Sequence, residues 1–194
     1  MLADSSRTPA ATWGYDIVVS STNRRRASTP QSPTPLRSRT ARSERGTRSW
    51  VHLTGTFHGI KAAIGPLRAS GGGSIVTISS TAGINGYGHM AGRTASKFGV
   101  RGLTKAAALD LGRYGARVNS VHPGVIRSPM NEGVLVQERL ALGRPREPEE
   151  LAEVVAFLAY DKSSFATDTE FVIDGGETAT ELDRVMSGRS PASA

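Results

Sequence analysis

The sequence predicts an α/β domain built on a parallel sheet, and two observations support this fold class. Short runs of apolar, β-branched residues alternate along the chain with longer segments whose apolar residues recur at helical spacing. The run Ser74–Ser79 in particular is short, apolar and β-branched, which suits a strand buried on both faces of a parallel sheet. Such alternation implies right-handed crossovers between parallel strands, and we expect the α/β domain to span residues 50–177.

The segment before this domain has a different composition. Residues 1–49 contain nine arginines and three acidic residues, so they carry most of the formal net charge of +7. Between residues 22 and 49 the only large apolar side chain is Leu36, and such a segment cannot offset the entropy of ordering its backbone. We therefore expect 1–49 to be a mostly disordered basic leader, in which only Tyr15–Val19 resembles a strand, and 178–194 to be a tail.

Composition also excludes several classes of protein. The chain has no cysteine, so it has neither disulfides nor thiolate metal sites, and no other metal-ligand pattern is visible. No apolar run approaches the roughly 20 residues that span a bilayer, and the N-terminus lacks a signal-peptide core. We expect a cytoplasmic protein with no membrane partner. A basic arm for nucleic acid is an alternative reading of the leader, but its arginines are scattered and no aromatic residues lie among them.

Three segments have the pattern of helices. The first is residues 53–68, with Pro66 near its end, and the second is residues 92–112, along which small residues recur. The third begins at Glu147-Pro148, because proline suits the first helical position and acidic residues suit the positive end of the helix dipole.

Three strands separate and follow these helices. They are Ser74–Ser79 after a run of three glycines, Ala116–His122, and Glu170–Asp174. Ligands of open α/β sheets bind beyond the carboxyl ends of the strands, and all three ends here are polar. Ser80 follows one strand end and Lys97 lies on the next helix, so the two could converge on one small ligand. The alternative is that Ser80 closes a turn and Lys97 is a solvated helix residue.

Four motifs in order give a more specific signal than any one of them. GGSIVTISSTAG, TASKFGVRGLTKAAALDLG, ARVNSVHPGVIRSPM and EFVIDGG together resemble the C-terminal part of the short-chain dehydrogenase/reductase family. The resemblance covers about residues 50–177 and is to members of the hydroxysteroid dehydrogenase and 3-oxoacyl reductase type. It implies a truncated Rossmann-type sheet, NAD or NADP as cofactor, and interconversion of alcohols and ketones.

The resemblance also implies roles for individual residues. Ser80 matches the serine that polarises the substrate oxygen, and Lys97 matches the lysine that binds the nicotinamide ribose and lowers the pKa of its neighbour. The segment that holds the nicotinamide carboxamide matches Pro123, Gly124, Ile126 and Ser128. Tyr87 and Met130 correspond to substrate-facing loops. Asn119 matches a residue of the strand, and we interpret it as structural.

One departure from the family pattern bears directly on catalysis. The resemblance places the catalytic tyrosine of the Tyr-x-x-x-Lys motif at position 93, where this chain has Arg93. A phenol can give or take the proton that accompanies hydride transfer, whereas an arginine has no acceptor and stays protonated in proteins. Arg93 also puts a second cation one helical turn from Lys97, which is repulsive. We predict that the catalytic frame is present without its acid.

Two further departures concern the cofactor. His52 stands where the family commonly has asparagine. More importantly, no Thr-Gly-x-x-x-Gly-x-Gly loop follows a strand in these 194 residues, so no glycine turn brings a helix N-terminus to a pyrophosphate. We therefore expect neither NADH nor NADPH to bind with ordinary family affinity. We also expect a sheet of three or four strands with an exposed edge, and a leader that comes from a truncated or misread gene.

Three functions remain open on this evidence. The chain is an oxidoreductase of the family acting on a small alcohol or ketone, a non-catalytic relative that pairs with another chain, or a nucleic-acid binder, which we consider unlikely. By the resemblance, pairing into a homo- or hetero-oligomer would use the helices at 50–66 and 92–112.

Overall fold

The computed structural model describes residues 11–12, 17–21, 44–127 and 140–179. Most of the predicted leader and all but the first two residues of the predicted tail lie outside this part of the chain. The basic-arm hypothesis therefore stays a prediction.

A five-stranded sheet forms the centre of the described chain. Its strands are adjacent in chain order: β1 (Ala11–Thr12), β2 (Ile17–Ser21), β3 (Gly73–Ile78), β4 (Ala116–Pro123) and β5 (Glu170–Ile173). Strands β3, β4 and β5 are parallel, with Ile75 opposite Val118 and Val121 opposite Phe171. This parallel unit confirms the predicted fold class, and each of its strands begins or ends within a residue or so of the predicted limits.

The prediction that the sheet has an exposed edge at β3 is wrong. Strand β2 pairs with β3 along its whole length and runs antiparallel, with Ile17 opposite Thr77, and β1 continues the sheet beyond β2. The edge of β3 is therefore covered, and the sheet has five strands where three or four were expected. An unpaired strand edge offers a row of free N–H and C=O groups, and the β-branched residues at 17–19 provide a strand to bind them.

Three helices pack on this sheet: α1 (Glu44–Ser70), α2 (Ala91–Leu111) and α3 (Pro148–Ala159). Helix α1 begins nine residues before its predicted start, so residues 44–49, which were expected to be disordered, are helical. Its Pro66 lies inside the helix rather than at its end. Helix α3 starts at the predicted position, and Glu147 and Glu150 form a capping box there. None of the helices in the described residues is both long and apolar enough to cross a bilayer.

The helices cover opposite faces of the sheet. Helices α1 and α2 bury one cluster against it, in which Leu67, Ile75 and Leu111 are at most 3 % exposed. Helix α3 buries the second cluster, centred on Leu158, Val76 and Val121, which are all fully buried. Because neighbouring residues of a strand point to opposite faces, Ile75 and Val76 belong to different clusters.

Glycines make the crossing from the helices into the two central strands possible. Gly72 has a φ of 133°, and a Cβ on it would lie 2.4 Å from the carbonyl oxygen of Gly115. Gly115, which precedes β4, has a φ of 71°. Only glycine permits both the conformation and this close approach of two backbones.

Candidate active site

The carboxyl ends of β3, β4 and β5 lie side by side, as the sequence predicts. The amide of Ser79 donates to the carbonyl of Val121 at 2.8 Å, and the amide of Gly124 donates to the carbonyl of Ile173 at 3.1 Å. The polar residues that follow the three strands therefore meet at one edge of the sheet.

Ser80 is the first of these residues. It is extended, with a φ of −173°, and is 8 % exposed. Its Oγ accepts from the amide of Ala82 at 3.2 Å and so caps the short 3-10 turn Thr81–Gly83. The alternative reading, that Ser80 closes a turn, is correct, but this bond uses the oxygen only as an acceptor. The hydroxyl hydrogen makes no bond to any described residue.

Lys97 is held against the same strand end from α2. It is 5 % exposed, and its Nζ donates to the carbonyl of Ile78 at 2.9 Å. The Ser79 hydroxyl donates back to the carbonyl of Lys97 at 3.0 Å. Gly83 allows this approach, since a Cβ there would lie 2.3 Å from Ser79 Oγ. The alternative that Lys97 is a solvated helix residue is therefore wrong.

Arg93 lies one helical turn before Lys97 and reaches Ser80. Its Nη2 is 3.4 Å from Ser80 Oγ, so the guanidinium donates a long hydrogen bond to the hydroxyl oxygen. No carboxylate of the described residues forms an ion pair with Arg93. The pair Ser80–Arg93 therefore presents donors, with the fixed charge of arginine, at the position predicted for the catalytic acid.

His122 is a residue of this site to which the sequence analysis gave no role. It is fully buried in β4, and its two ring nitrogens are 3.3 Å from the Ser80 carbonyl oxygen and 2.9 Å from Ser120 Oγ. A carbonyl only accepts, so Nδ1 carries the hydrogen and Nε2 accepts from the Ser120 hydroxyl. Burial lowers the pKa of the imidazole below its ordinary value of 6.5, which favours this neutral form. The sequence signal was a histidine at the polar carboxyl end of a strand.

The segment predicted to hold the nicotinamide begins where β4 ends. Pro123 is the last residue of β4, and Ile126 forms an isolated parallel bridge with Arg146. A Cβ on Gly124 would lie 2.9 Å from Asp174 Cα and 2.9 Å from Glu177 Oε2, so only glycine fits there. Ser128 and Met130 lie outside the described residues, and their roles stay predictions.

Glu177 is a second residue that sequence reasoning missed. The hydroxyl of Tyr87 donates to its Oε1 at 2.9 Å, which ties the loop after β3 to the turn after β5. That turn is built on Asp174, whose carboxylate accepts from the amides of Gly176 and Thr178 at 2.9 and 2.8 Å. Hydrogen bonds from Thr178 and Gly176 lower the pKa of Asp174 in opposition to its burial, so the turn keeps its charge.

Two other predicted residues lie away from the strand ends. The buried Asn119 side chain donates to the Ala166 carbonyl at 2.8 Å and accepts from the Thr169 amide at 3.1 Å, which supports its structural interpretation. His52 is exposed on α1. Over the described ranges, no cluster of three or more His, Cys, Asp or Glu side chains could hold a metal ion.

Comparison with known proteins was made on both sequence and structure. The sequence profile of the family described as enoyl-(acyl carrier protein) reductase matches residues 36–178. The 3-alpha-(or 20-beta)-hydroxysteroid dehydrogenase of Mycobacterium tuberculosis is 50% identical over 130 residues, which are 66% of this chain and 50% of that protein. The trans-4-hydroxycyclohexanecarboxylate dehydrogenase of Sinomonas cyclohexanicum is 49% identical over 130 residues, with the same shares.

Solved structures agree with these relatives. The crystal structure of levodione reductase has a TM-score of 0.66 and 35% identity, covering 72% of this chain and 59% of that one. A structure described as ElxO with NADP bound has a TM-score of 0.66 and 25% identity, covering 72% of this chain and 60% of that one. The chain spans about half the length of the curated relatives it matches. By its profile match and these relatives, the chain belongs to the short-chain dehydrogenase/reductase family.

Proposed function

We propose that this chain binds the oxygen of a small alcohol or ketone but does not by itself catalyse the oxidoreduction typical of its family. The observation that carries this proposal is the contact between Arg93 Nη2 and Ser80 Oγ at 3.4 Å. The family reaction moves a proton to or from the substrate oxygen as hydride is transferred. At this oxygen position Ser80 and Arg93 supply hydrogen bonds, but neither is a practical proton donor or acceptor at neutral pH.

The donors of Ser80 and Arg93 can still bind the oxygen of a ligand. Donors aimed at an oxygen stabilise negative charge that develops on it, and they bind an oxygen ligand even when no reaction follows. The named relatives act on cyclic alcohols, namely a hydroxysteroid and a hydroxycyclohexanecarboxylate. A cyclic alcohol or ketone is therefore the ligand class that we propose for the strand ends.

The described residues fit the nicotinamide end of a dinucleotide cofactor but do not fit its pyrophosphate. On the nicotinamide side, Lys97, Pro123, Gly124 and Ile126 lie around one edge of the sheet, so these residues could hold the ring and its ribose. When bound, the cofactor supplies or accepts the hydride.

The pyrophosphate side does not fit among the described residues. The strand beside β3 is β2, which is antiparallel and so brings its first residue, Ile17, toward the carboxyl end of β3. A pyrophosphate site needs the reverse arrangement, in which a parallel strand ends there and is followed by a glycine turn and a helix N-terminus. We therefore propose that these 194 residues bind neither NADH nor NADPH tightly.

The test uses the chain as it is and the variant Arg93→Tyr. We expect neither protein to oxidise NADH or NADPH with cyclohexanone or a ketosteroid, and calorimetry should show no tight binding of either cofactor. The variant restores a proton donor, but acid–base catalysis contributes only about 10²–10⁴-fold. Positioning of hydride donor and carbonyl is worth roughly 7–11 kcal/mol of the barrier, and it depends on the cofactor site. Turnover by the single variant would show that a cofactor site exists and that this proposal is wrong.

A second observation favours pairing with another chain of the family. The outer side of α1 and α2 carries an open apolar groove of about 530 Å³, lined chiefly by Leu53, Phe57, Gly99, Gly102 and Leu103. Gly99 allows α1 and α2 to pack closely within the chain, because a Cβ on it would lie 2.8 Å from Leu53 Cδ2. Gly102 has nothing within 4 Å, so a side chain from outside could approach it.

We propose that a second copy of this chain occupies the groove. Phe57 is 48% exposed there, and Phe165, which is fully exposed elsewhere on the surface, provides a matched control. Sedimentation should show a dimer for the unchanged chain and for Phe165→Glu, and a monomer for Phe57→Glu. If the unchanged chain is a monomer at every concentration, or if both variants dissociate alike, the pairing proposal is wrong.

A further inference from the structure

We propose that Ser80 and Arg93 form a binding site for a small organic carboxylate. The proposal rests on the proposed function in one respect, namely that Arg93 takes the place of a proton donor without acting as one. It goes further by assigning the same donors a second ligand class, which follows from their charge and their hydrogen-bonding groups.

The Ser80 hydroxyl is a buried donor. Ser80 is 8 % exposed, and its Oγ already accepts two bonds, from the Ala82 amide and from Arg93 Nη2. The hydroxyl hydrogen, in contrast, has no acceptor among the described residues. A buried donor without a partner carries a free-energy penalty, so Ser80 favours a ligand that supplies an acceptor at this point.

Arg93 differs from other cations of α2 in its partners. Two other cations of α2 are neutralised, since Arg101 and Lys105 contact the Glu170 carboxylate at 2.7 and 3.0 Å. Arg93 lies in the first turn of the same helix and has no carboxylate partner among the described residues. Its bond to Ser80 is long at 3.4 Å, so a charged acceptor at 2.7–2.9 Å would replace it with a stronger one.

The start of α2 adds to the positive charge of Arg93. Met90 is its N-cap residue and makes no side-chain capping bond, so the first amides of this 21-residue helix add positive potential beside Arg93. The guanidinium, the Ser80 hydroxyl and the helix start are all donors. A tyrosine at position 93 would have brought an acceptor as well, so the substitution turns a mixed site into a donor site.

A carboxylate fits these donors better than other anions do. Its two coplanar oxygens match the guanidinium fork, and one of them can also accept from Ser80. Glu177 is held by Tyr87 near Gly124 at the same edge of the sheet. Its negative charge disfavours a dianion such as phosphate more than it disfavours a monoanion.

The experiment is a titration of the full chain with cyclohexanecarboxylate, followed by NMR of the backbone amides at 80–83 and of the Arg93 side-chain Nε–H. We expect one saturable site, at least tenfold weaker binding of the neutral cyclohexanecarboxamide, and weaker binding of inorganic phosphate. Arg93→Ala should weaken carboxylate binding by about tenfold or more, because a hydrogen bond to a charged group is lost. Arg93→Lys keeps the charge without the fork and should fall between the two.

The matched control is Arg113→Ala. It removes the same side chain from an exposed position in the 3-10 turn Gly112–Tyr114, which follows α2 and lies about 30 Å from Arg93, and carboxylate affinity should be unchanged. The proposal is overturned if cyclohexanecarboxylate shows no saturable binding, if the carboxamide or phosphate binds as tightly, or if Arg93→Ala binds as well as the unchanged chain. These outcomes are independent of the cofactor assays, so a failure here and a failure of the proposed function are distinguishable.

Discussion

Replacing His122 by alanine should destabilise the folded chain by about 3 kcal/mol. The ring is fully buried and joins two elements of the site, through Ser120 Oγ at 2.9 Å and the Ser80 carbonyl at 3.3 Å. Alanine leaves the Ser120 hydroxyl without this partner, and a buried unsatisfied group costs about 1–3 kcal/mol. The Ser80 carbonyl keeps the bond from the Gly83 amide at 2.8 Å, so the loss there is smaller. The vacated ring adds a cavity whose cost depends on how far the neighbours relax. About 2 kcal/mol for the Ser120 hydroxyl and about 1 kcal/mol for the cavity together give the expected loss.

Urea unfolding followed by circular dichroism measures this effect as a lower midpoint at an unchanged slope. The control is His58→Ala, since His58 is exposed and its ring makes an edge contact with the Phe57 ring at 5.5 Å. We expect it to change stability by less than about 1 kcal/mol. If the two variants lose equal stability, His122 does not connect β4 to Ser80 in the way described.

His122 should also make the stability of the folded chain depend on pH. Burial lowers the pKa of His122 in the folded chain below 6.5, so the unfolded chain binds this proton more readily. The contribution of His122 to the free energy of unfolding is fully present above pH 6.5. It is lost as the pH falls from 6.5 toward the pKa of His122 in the folded chain. His122→Ala should remove this slope, whereas His58→Ala should keep it.

Two other substitutions test the packing and the charges around the sheet. Leu67→Ala removes a side chain that is 1 % exposed in the core between α1, α2 and the sheet. Thermal unfolding should show that the free energy of unfolding falls by about 2–5 kcal/mol. An unchanged free energy of unfolding would contradict the assigned core. The Arg101 and Lys105 side chains hold the pKa of Glu170 at about 2, so its contribution is present above pH 4.5 and lost as the pH falls toward 2. Glu170→Gln should lower the free energy of unfolding by about 1 kcal/mol at neutral pH, because the ion pairs are partly exposed. It should also remove the dependence of stability on pH between pH 4.5 and 2. An unchanged pH dependence there would contradict the role given to Glu170.

The parallel core could be predicted from the sequence because its signals are local. Apolar runs bounded by glycine or proline specify β3, β4 and β5, and proline with acidic residues specifies the start of α3. The position of Ser80 at a strand end followed from the same pattern. The burial of Lys97 did not, because periodicity alone does not tell which helix face meets the strand end.

The remaining features depend on contacts between distant segments. The antiparallel pairing of β2 with β3 joins residues some 55 positions apart, and nothing in either strand specifies its direction. The role of His122 depends on the Ser80 carbonyl, and that of Glu177 depends on Tyr87. These partners are separated by 42 and 90 residues, so no local pattern reveals them.

The central claim is that Arg93 leaves the catalytic frame without its acid, and a chimeric pair tests it most directly. In both members a family-type N-terminal half replaces residues 1–49 and supplies the cofactor site, and the members differ only in Arg93 or Arg93→Tyr. NADPH oxidation with a cyclic ketone, measured at saturating cofactor, then reports the proton donor alone. We expect the tyrosine chimera to turn over about 10²–10⁴-fold faster than the arginine chimera. Equal rates in two folded chimeras that both bind NADPH would contradict the claim.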